Sequence, residues 1–167
     1  MRISSLCASL GNELTVSFAA DHAAALLDDW RWLVGRNVEV LVISALGDLF
    51  LNDAAGRVLW LETGVGRVTQ VAASSDEFKQ LMQQTEHASR WFEAQLIGDL
   101  IEGGMRLEPG QCYGYKLPPM LGGTFEPSNF EPTDLLVHCS LLGQIASQTQ
   151  GLAEGTRVDG FKMEDDS

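Results

Sequence analysis

Cys112, within the segment GQCY, is the side chain in this chain best suited to nucleophilic chemistry. Its thiol would need a general base, such as His138 or His22, and an electropositive setting that lowers the thiol pKa. Lys116 is the nearest cation in sequence, and the local motifs of cysteine proteases are missing. We therefore expect Cys112 to be a buried structural thiol. We expect the same of Cys139, on the apolar face of the last predicted helix.

The patterns that could hold a metal or a phosphate are weak. The chain has three cysteines and three histidines, and they form no C-x-x-C, H-x-H or H-E-x-x-H spacing. Gly64-Val65-Gly66 lacks the third glycine of a dinucleotide loop, and Gly122-Gly123 lacks the Lys-Ser/Thr of a Walker loop. Both are typical of turns. We expect no metal, no cofactor and no catalytic residue set.

Tryptophan and acidic side chains are the candidates for partner binding, although core packing is the commoner role of tryptophan and a solvated surface is the commoner place of carboxylates. Trp30 and Trp32 are two residues apart in a predicted helix, so their side chains face different directions. One indole can then be in the core while the other is exposed, where tryptophan often anchors an interface. Exposed carboxylates would add a negative field that speeds association with a basic partner. The candidate partner-binding residues are Glu126, Glu131, Asp134, Asp28, Asp29 and Trp32.

The charge balance limits the classes of partner. Among 167 residues there are 11 Lys plus Arg and 23 Asp plus Glu, a formal net charge of −12. Nucleic-acid affinity depends mainly on clustered lysines and arginines, so we expect a protein partner and no nucleic acid. No apolar stretch is long enough to span a membrane, and Gly11 interrupts the one that could open a secretory signal. The scattered cysteines fit a reducing cytoplasm.

The first half of the chain predicts a helix followed by strands. Residues 20–34 have helical spacing, with Asp21 as the N-cap and Gly35 where the helix ends. Residues 38–43 are β-branched and nearly continuous, which is typical of a strand covered on both faces. Turn residues then separate three further segments, so the sequence predicts an antiparallel β-meander. These later strands are predicted at 48–52, 57–62 and 67–71.

A long helix is predicted after the meander. Ser74 and Glu77 form a capping box, in which each side chain can satisfy a backbone N–H at the helix start. Apolar residues then continue at helical spacing until Gly103, with a possible break near Glu86-His87.

The last part of the chain predicts an ordered loop and a final helix. Residues 105–133 contain all five prolines, so we expect an ordered loop with a short strand or two. Thr133 or Asp134 caps the final helix, which ends before Gly151. Segregated strands and helices indicate an α+β fold, an antiparallel meander packed by helices. We predict one domain over 1–167, with an N-terminal extension at 1–19 and a frayed tail at 160–167.

Two stretches of sequence resemble a known family. The first is SALGDLFL at 44–51 followed by GRVLWL at 56–61. The second is LEPGQCYGYKLPPMLGG at 107–123, followed by NFEPTDL at 129–135 and LGQI at 142–145. Together they resemble the family of the C-terminal domain of a type VI secretion DNase-immunity protein. The likeness runs from about Trp30 to about Gly151, and the fold is similar, more loosely, to SMI1/KNR4-like (SUKH) immunity domains.

The resemblance implies a role and a fold but no catalytic residues. The family's namesake protects its bacterium from that bacterium's own DNase effector. The motif residues are expected to determine the fold. Gly47 and Gly122-Gly123 would form turns, Pro118-Pro119 would hold the loop extended, and Asp48 would accept hydrogen bonds from backbone donors.

Three functional hypotheses follow. The favoured one is a non-enzymatic cytoplasmic binding protein, an immunity protein that occludes the active site of a basic, nuclease-type toxin. The second is a small enzyme or ligand-binding domain whose site lies in the 105–133 loop and uses Cys112, Tyr113, Tyr115 and Lys116. A buried Cys112 would exclude the form of this hypothesis in which the Cys112 thiol is the reactive group. The third is a homodimeric structural or regulatory module, so a homo-oligomer is one expected assembly.

Overall fold

A computed structural model describes residues 13–163 of the chain. Its main feature is a four-stranded antiparallel sheet in the order β1-β2-β3-β4, the predicted meander. A separate antiparallel pair, β5 and β6, follows later in the chain. The α+β prediction is therefore confirmed. The strands are β1 Val38–Ile43, β2 Leu49–Asp53, β3 Val58–Glu62, β4 Arg67–Ala72, β5 Gln111–Tyr115 and β6 Phe130–Asp134.

The meander separates two apolar cores by simple alternation of its side chains. Leu49 and Leu51 of β2 belong to one buried cluster, whereas Phe50 between them belongs to the other. Such alternation occurs when both faces of a sheet are covered. The first strand departs from the expectation of full coverage, because Glu39 is exposed and Val40 only partly buried. It lies at the edge of the sheet.

The predicted first helix is present in a different form. It is a 3-10 helix, Ala23–Trp30, which continues as one short α-helix, α1 Arg31–Val34. Gly35 ends it with φ 79°, as expected for a helix-ending glycine. The prediction that Asp21 is the N-cap is wrong. The cap position is His22, which makes no side-chain capping bond, and the Asp21 carboxylate instead lies 3.6 Å from the His22 imidazole.

The predicted long helix is three helices: α2 Ser75–Met82, α3 Thr85–Phe92 and α4 Ala94–Glu102. The capping box at its start is confirmed, since Glu77 N–H donates to Ser74 Oγ at 3.1 Å and the Glu77 carboxylate accepts from Ala73. The chain bends between Met82 and Thr85, before the expected break, and again at Glu93. These bends fold both α2 and α3 onto Phe50, whose ring centroid lies 5.2 Å from Phe78 and 6.0 Å from Trp91.

The proline-rich segment is an ordered loop that includes β5 and β6, as predicted. Asn129 holds its middle together, donating from Nδ2 to Leu117 O at 2.8 Å and accepting from Leu117 N–H at 3.0 Å. Asp134 then caps the last helix, accepting from Val137 N–H at 3.0 Å. Two short 3-10 helices and the final helix complete this region. Their bounds are Pro119–Leu121, Pro127–Asn129 and α5 Leu135–Thr149.

The two ends of the described chain differ. Val16 N–H donates to Ile43 O at the end of β1, and Leu14 O accepts from Ala45 N–H. Leu14 and Val16 belong to the predicted N-terminal extension. Residues 150–163 form neither helix nor strand. Cys7 and the acidic residues 164–166 of the predicted tail lie outside the described residues. Within 13–163, no helix combines the length and apolar character needed to cross a bilayer.

Candidate partner-binding site

The two thiols of the described residues are buried, which excludes Cys112 as a nucleophile. Cys112 and Cys139 are both free cysteines with no exposed surface. Burial raises the pKa of the Cys112 thiol well above its ordinary value, and the neighbouring Cys139 and Asp48 raise it further. Burial also raises the pKa of Cys139. Both cysteines are protonated and inaccessible at neutral pH, as structural thiols are.

A buried polar cluster lies beside them. Asp48 Oδ1 accepts from Thr63 N–H at 2.8 Å and from the Thr63 hydroxyl at 3.1 Å. The same hydroxyl lies 3.1 Å from His138 Nε2. Burial raises the pKa of Asp48 to about 7, although the Thr63 hydrogen bonds oppose this shift. Burial lowers the pKa of His138 to about 4, so its imidazole is neutral at neutral pH.

This cluster joins the meander to the last helix. A Cβ on Gly47 would lie 2.5 Å from His138 Nε2 and 3.1 Å from Cys112 Sγ, so only glycine allows such close packing. Asp48 also borders a cavity of about 30 Å³, too small for a substrate. Asp48, Thr63 and His138 are each at least nine-tenths buried. Their arrangement stabilises the fold and presents no reactive group to solvent.

The side chains proposed for a ligand site in the 105–133 loop do not converge. Lys116 Nζ donates to Ser128 O at 2.9 Å, within its own loop. The Tyr115 ring lies over Gly64, where a Cβ would be 2.7 Å from the phenol oxygen. Tyr113 borders a cavity of about 520 Å³, which Glu13, residues 15–17 and residues 106–111 also line. This cavity is therefore the remaining candidate site for the ligand-binding hypothesis. Among residues 13–163, no group of His, Cys, Asp and Glu side chains is arranged to hold a metal ion.

The six candidate partner-binding residues fall into two groups. Asp28, Asp29 and Trp32 line one cleft of about 430 Å³, which we call the acidic cleft. Its other lining residues are Gln144, Ser147, Gln148 and Lys162. The remaining three carboxylates are exposed elsewhere. They are Glu126 before the second short 3-10 helix, Glu131 on β6, and Asp134 at the start of α5.

The orientation of Trp32 is fixed by the elements beneath it. Its indole Nε1 donates to Asp29 O at 2.9 Å, and the Asp29 carboxylate accepts from Ser140 Oγ of α5 at 2.6 Å. Gly143 allows α5 to approach this closely, because a Cβ there would lie 2.8 Å from Asp29. The expectation that Trp30 and Trp32 face different directions is confirmed. Trp30 is fully buried, whereas Trp32 is 40% exposed.

Trp32 also borders a larger depression that the sequence did not predict. We call it the Trp32 groove, of about 770 Å³, between α5, the proline-rich loop and the C-terminal segment. Its apolar lining includes Trp32, Val65, Leu117, Met120, Leu152, Val158 and Phe161. The sequence signal that could have indicated this groove is the presence of the apolar residues Leu152, Val158 and Phe161 in a segment without helical or strand spacing.

Gln148 of α5 bonds to the C-terminal wall of this groove. Gln148 Nε2 donates to Lys162 O at 2.7 Å, and Gln148 Oε1 accepts from Lys162 N–H at 2.9 Å. Since residues 150–163 contain no regular element, this pair of bonds holds the segment beside α5.

Comparison with known proteins agrees with the family resemblance. Residues 72–146, somewhat less than half of the chain, match the family described as T6SS immunity protein Tdi1, C-terminal. The matched segment runs from the end of β4 into α5. Among solved structures, Atu4351 from Agrobacterium tumefaciens is similar in fold, with a TM-score of 0.60 and 19% sequence identity. That similarity covers 79% of this chain and 67% of Atu4351. No curated protein sequence gives a significant match.

Proposed function

We propose that this chain, whose residues 72–146 match the family described as T6SS immunity protein Tdi1, C-terminal, is an immunity protein. It binds a secreted nuclease-type toxin and neutralises it. The family match is the observation that carries this proposal. The matched segment includes β5, β6 and the proline-rich loop, which lines one side of the Trp32 groove.

The state of the reactive side chains supports binding as the mode of action. Cys112 and Cys139 are the thiols of the described residues, and His138 is one of the two candidate bases; all three are buried. Burial keeps the thiols protonated and the imidazole neutral. A protein whose exposed features are carboxylates and apolar side chains is suited to occlude a partner's surface.

The charge of the chain supports a nuclease as the partner. A nuclease binds phosphates through clustered lysines and arginines, so its substrate surface is basic. A chain with a formal net charge of −12 is attracted to such a surface and competes with DNA for it. Contacts of this kind weaken as ionic strength rises, because exposed charges are screened.

Co-expression with the toxin tests the proposal. If a gene for a secreted nuclease lies beside this one, its product is the candidate toxin. It is produced in a sensitive bacterium, with and without this protein, and survival and DNA integrity are measured. We expect the toxin-producing cells to survive only when this protein is also produced, and we expect the two proteins to co-purify less well as the salt concentration rises. Death at equal rates in both cultures, with both proteins expressed, would contradict the proposal.

A further inference from the structure

We propose that the Trp32 groove and the acidic cleft form one docking surface for an amphipathic, basic segment of the partner. This inference rests on the proposed function and names the surface and the partner chemistry. The segment inserts apolar side chains into the groove while its lysines or arginines meet the carboxylates beside it. Trp32 belongs to both depressions and joins them.

The groove gathers a large share of the exposed apolar surface. In the described part of the chain, nine large apolar side chains are exposed, and four of these line the groove. Scattered apolar residues are normal on a protein surface, but a contiguous set around a depression marks an interaction site. The four are Trp32 at 40% exposure, Leu117 at 46%, Leu152 at 49% and Val158 at 37%.

The size of the groove suits a peptide segment. Its volume of about 770 Å³ falls within the range of roughly 300–1,000 Å³ that is typical of pockets for drug-sized ligands. An amphipathic helix lays an apolar face, repeated at every third or fourth residue, into such a groove. Several apolar side chains of one helix face therefore have room here.

The charges beside the groove select a basic partner. Asp28 and Asp29 line the cleft on one side of Trp32, and Glu154 lines the groove itself. Asp159 is already paired with Arg157, at 2.9 Å. Lys162 is the single cation that lines either depression within residues 13–163. Carboxylates therefore outnumber cations around the surface, so lysine or arginine side chains are attracted to it.

Trp32 gives the surface an anchor whose orientation is fixed by a hydrogen bond. The Trp32 indole is held by its bond to Asp29 O, so little side-chain entropy is lost when a partner binds. A rigid, partly exposed tryptophan of this kind is a typical interface anchor. The opposite wall, residues 150–163, contains no helix or strand and is bonded to α5 through Gln148 and Lys162.

Model peptides test this surface without the toxin. Three fluorescein-labelled helical peptides of equal length are used, with Leu/Lys, Leu/Glu and Ser/Lys patterns. Each is titrated with the full chain at low and high salt, and fluorescence anisotropy is measured. We expect saturable binding of the Leu/Lys peptide, weakened by salt, and at least tenfold weaker binding of the other two.

Matched variants locate the binding. Trp32→Ala and Leu117→Ala should each weaken Leu/Lys binding at least about fivefold, whereas Leu141→Ala, an equally exposed leucine outside the groove, should not. The double variant Asp28→Asn, Glu154→Gln should reduce the salt dependence of peptide binding. Glu102→Gln, an exposed carboxylate on α4 that lines neither depression, should leave it unchanged. Trp32→Phe should retain most of the affinity, and circular dichroism checks that each variant is folded.

Several results would overturn the proposal. These are no saturable peptide binding, equal binding of the Ser/Lys peptide, or equal losses from Leu141→Ala and Trp32→Ala. Sedimentation showing a dimer that Trp32→Ala dissociates would assign the groove to a second copy of the chain. If the toxin is neutralised equally by the wild type and Trp32→Ala, the surface is wrong and immunity stands. If the peptides bind as expected but the toxin is not neutralised, immunity is wrong and the surface stands.

Discussion

Asp48 and His138 share one hydroxyl, that of Thr63, and burial shifts their pKa values in opposite directions. The carboxyl of Asp48 has a pKa of about 7 in the fold, against an ordinary value of 3.8. The imidazole of His138 has a pKa of about 4, against an ordinary value of 6.5. Between about pH 4 and pH 6.5, both side chains are therefore neutral in the folded protein. In the unfolded chain, both are charged over the same range.

These shifts predict how each side chain makes stability depend on pH. The folded state binds more protons at Asp48 than the unfolded state does, so this residue lowers the free energy of unfolding as pH rises from about 4 to about 7. The unfolded state binds more protons at His138 than the folded state does, so this residue raises the free energy of unfolding as pH rises from about 4 to about 6.5. In the wild type, the two effects largely cancel.

Replacing one residue of the pair should reveal the effect of the other. Relative to the wild type, Asp48→Asn should make the free energy of unfolding rise more steeply with pH between 4.5 and 6.5, by up to about 1.4 kcal/mol per pH unit. His138→Gln should change the slope by a similar amount in the opposite direction. Urea unfolding at three pH values measures both slopes. Three parallel curves would show that neither pKa is shifted.

Gly47 should be a position where any side chain is costly. Its φ of 80° would strain any other residue, and a Cβ would lie only 2.5 Å from His138 Nε2. We expect Gly47→Ala to cost about 2–4 kcal/mol, because backbone strain and overpacking add. Gly56 is the matched control, since its φ is 81° but nothing lies near its Cβ position. Gly56→Ala should cost only about 1 kcal/mol. Equal losses in urea unfolding would contradict the contact argument.

At the level of elements, the sequence predicted what depends on near neighbours and missed what depends on distant contacts. The turn residues that separate β2 from β3 are local, and they were sufficient to place β2. The bends among α2, α3 and α4 were misplaced or missed, because the apolar spacing continues through them. They are set by Phe50, far away in sequence, on which both α2 and α3 pack.

The bend at Glu93 offers a direct test at this scale. Glu93 is the non-glycine residue with positive φ in the described part of the chain, at 47°, and burial together with Glu62 raises the pKa of its carboxyl. Glycine adopts this conformation without a Cβ clash. We expect Glu93→Gly to increase the free energy of unfolding by up to about 1 kcal/mol and so to raise the melting temperature. Glu86→Gly, within helix α3, should lower it. A loss from Glu93→Gly as large as that from Glu86→Gly would show that the bend is unstrained.

The candidate site shows the same division between local and distant information. The proximity of Asp28, Asp29 and Trp32 follows from one helical segment and could be predicted. The Trp32 groove could not, since Leu117 and Leu152 come from segments that only the folded chain brings beside Trp32. The separation of Glu126, Glu131 and Asp134 from this surface was equally absent from the local sequence.

At the scale of the whole molecule, the acidic charge and the buried reactive groups support the same mode of action. Carboxylates are spread over all parts of the chain, which favours attraction of a basic partner from any direction. The docking surface then supplies the short-range apolar contacts that hold it. A binder of this kind is consumed stoichiometrically, whereas an enzyme that inactivated the toxin would act at low ratios.

Titration of nuclease activity measures this difference most directly. The purified effector cleaves a DNA substrate while increasing amounts of this protein are added at low salt. The proposed function predicts a linear fall in cleavage that reaches zero near one molar equivalent, and recovery of activity at high salt. Complete loss of cleavage at a few hundredths of an equivalent, or no loss at a large excess, would contradict it.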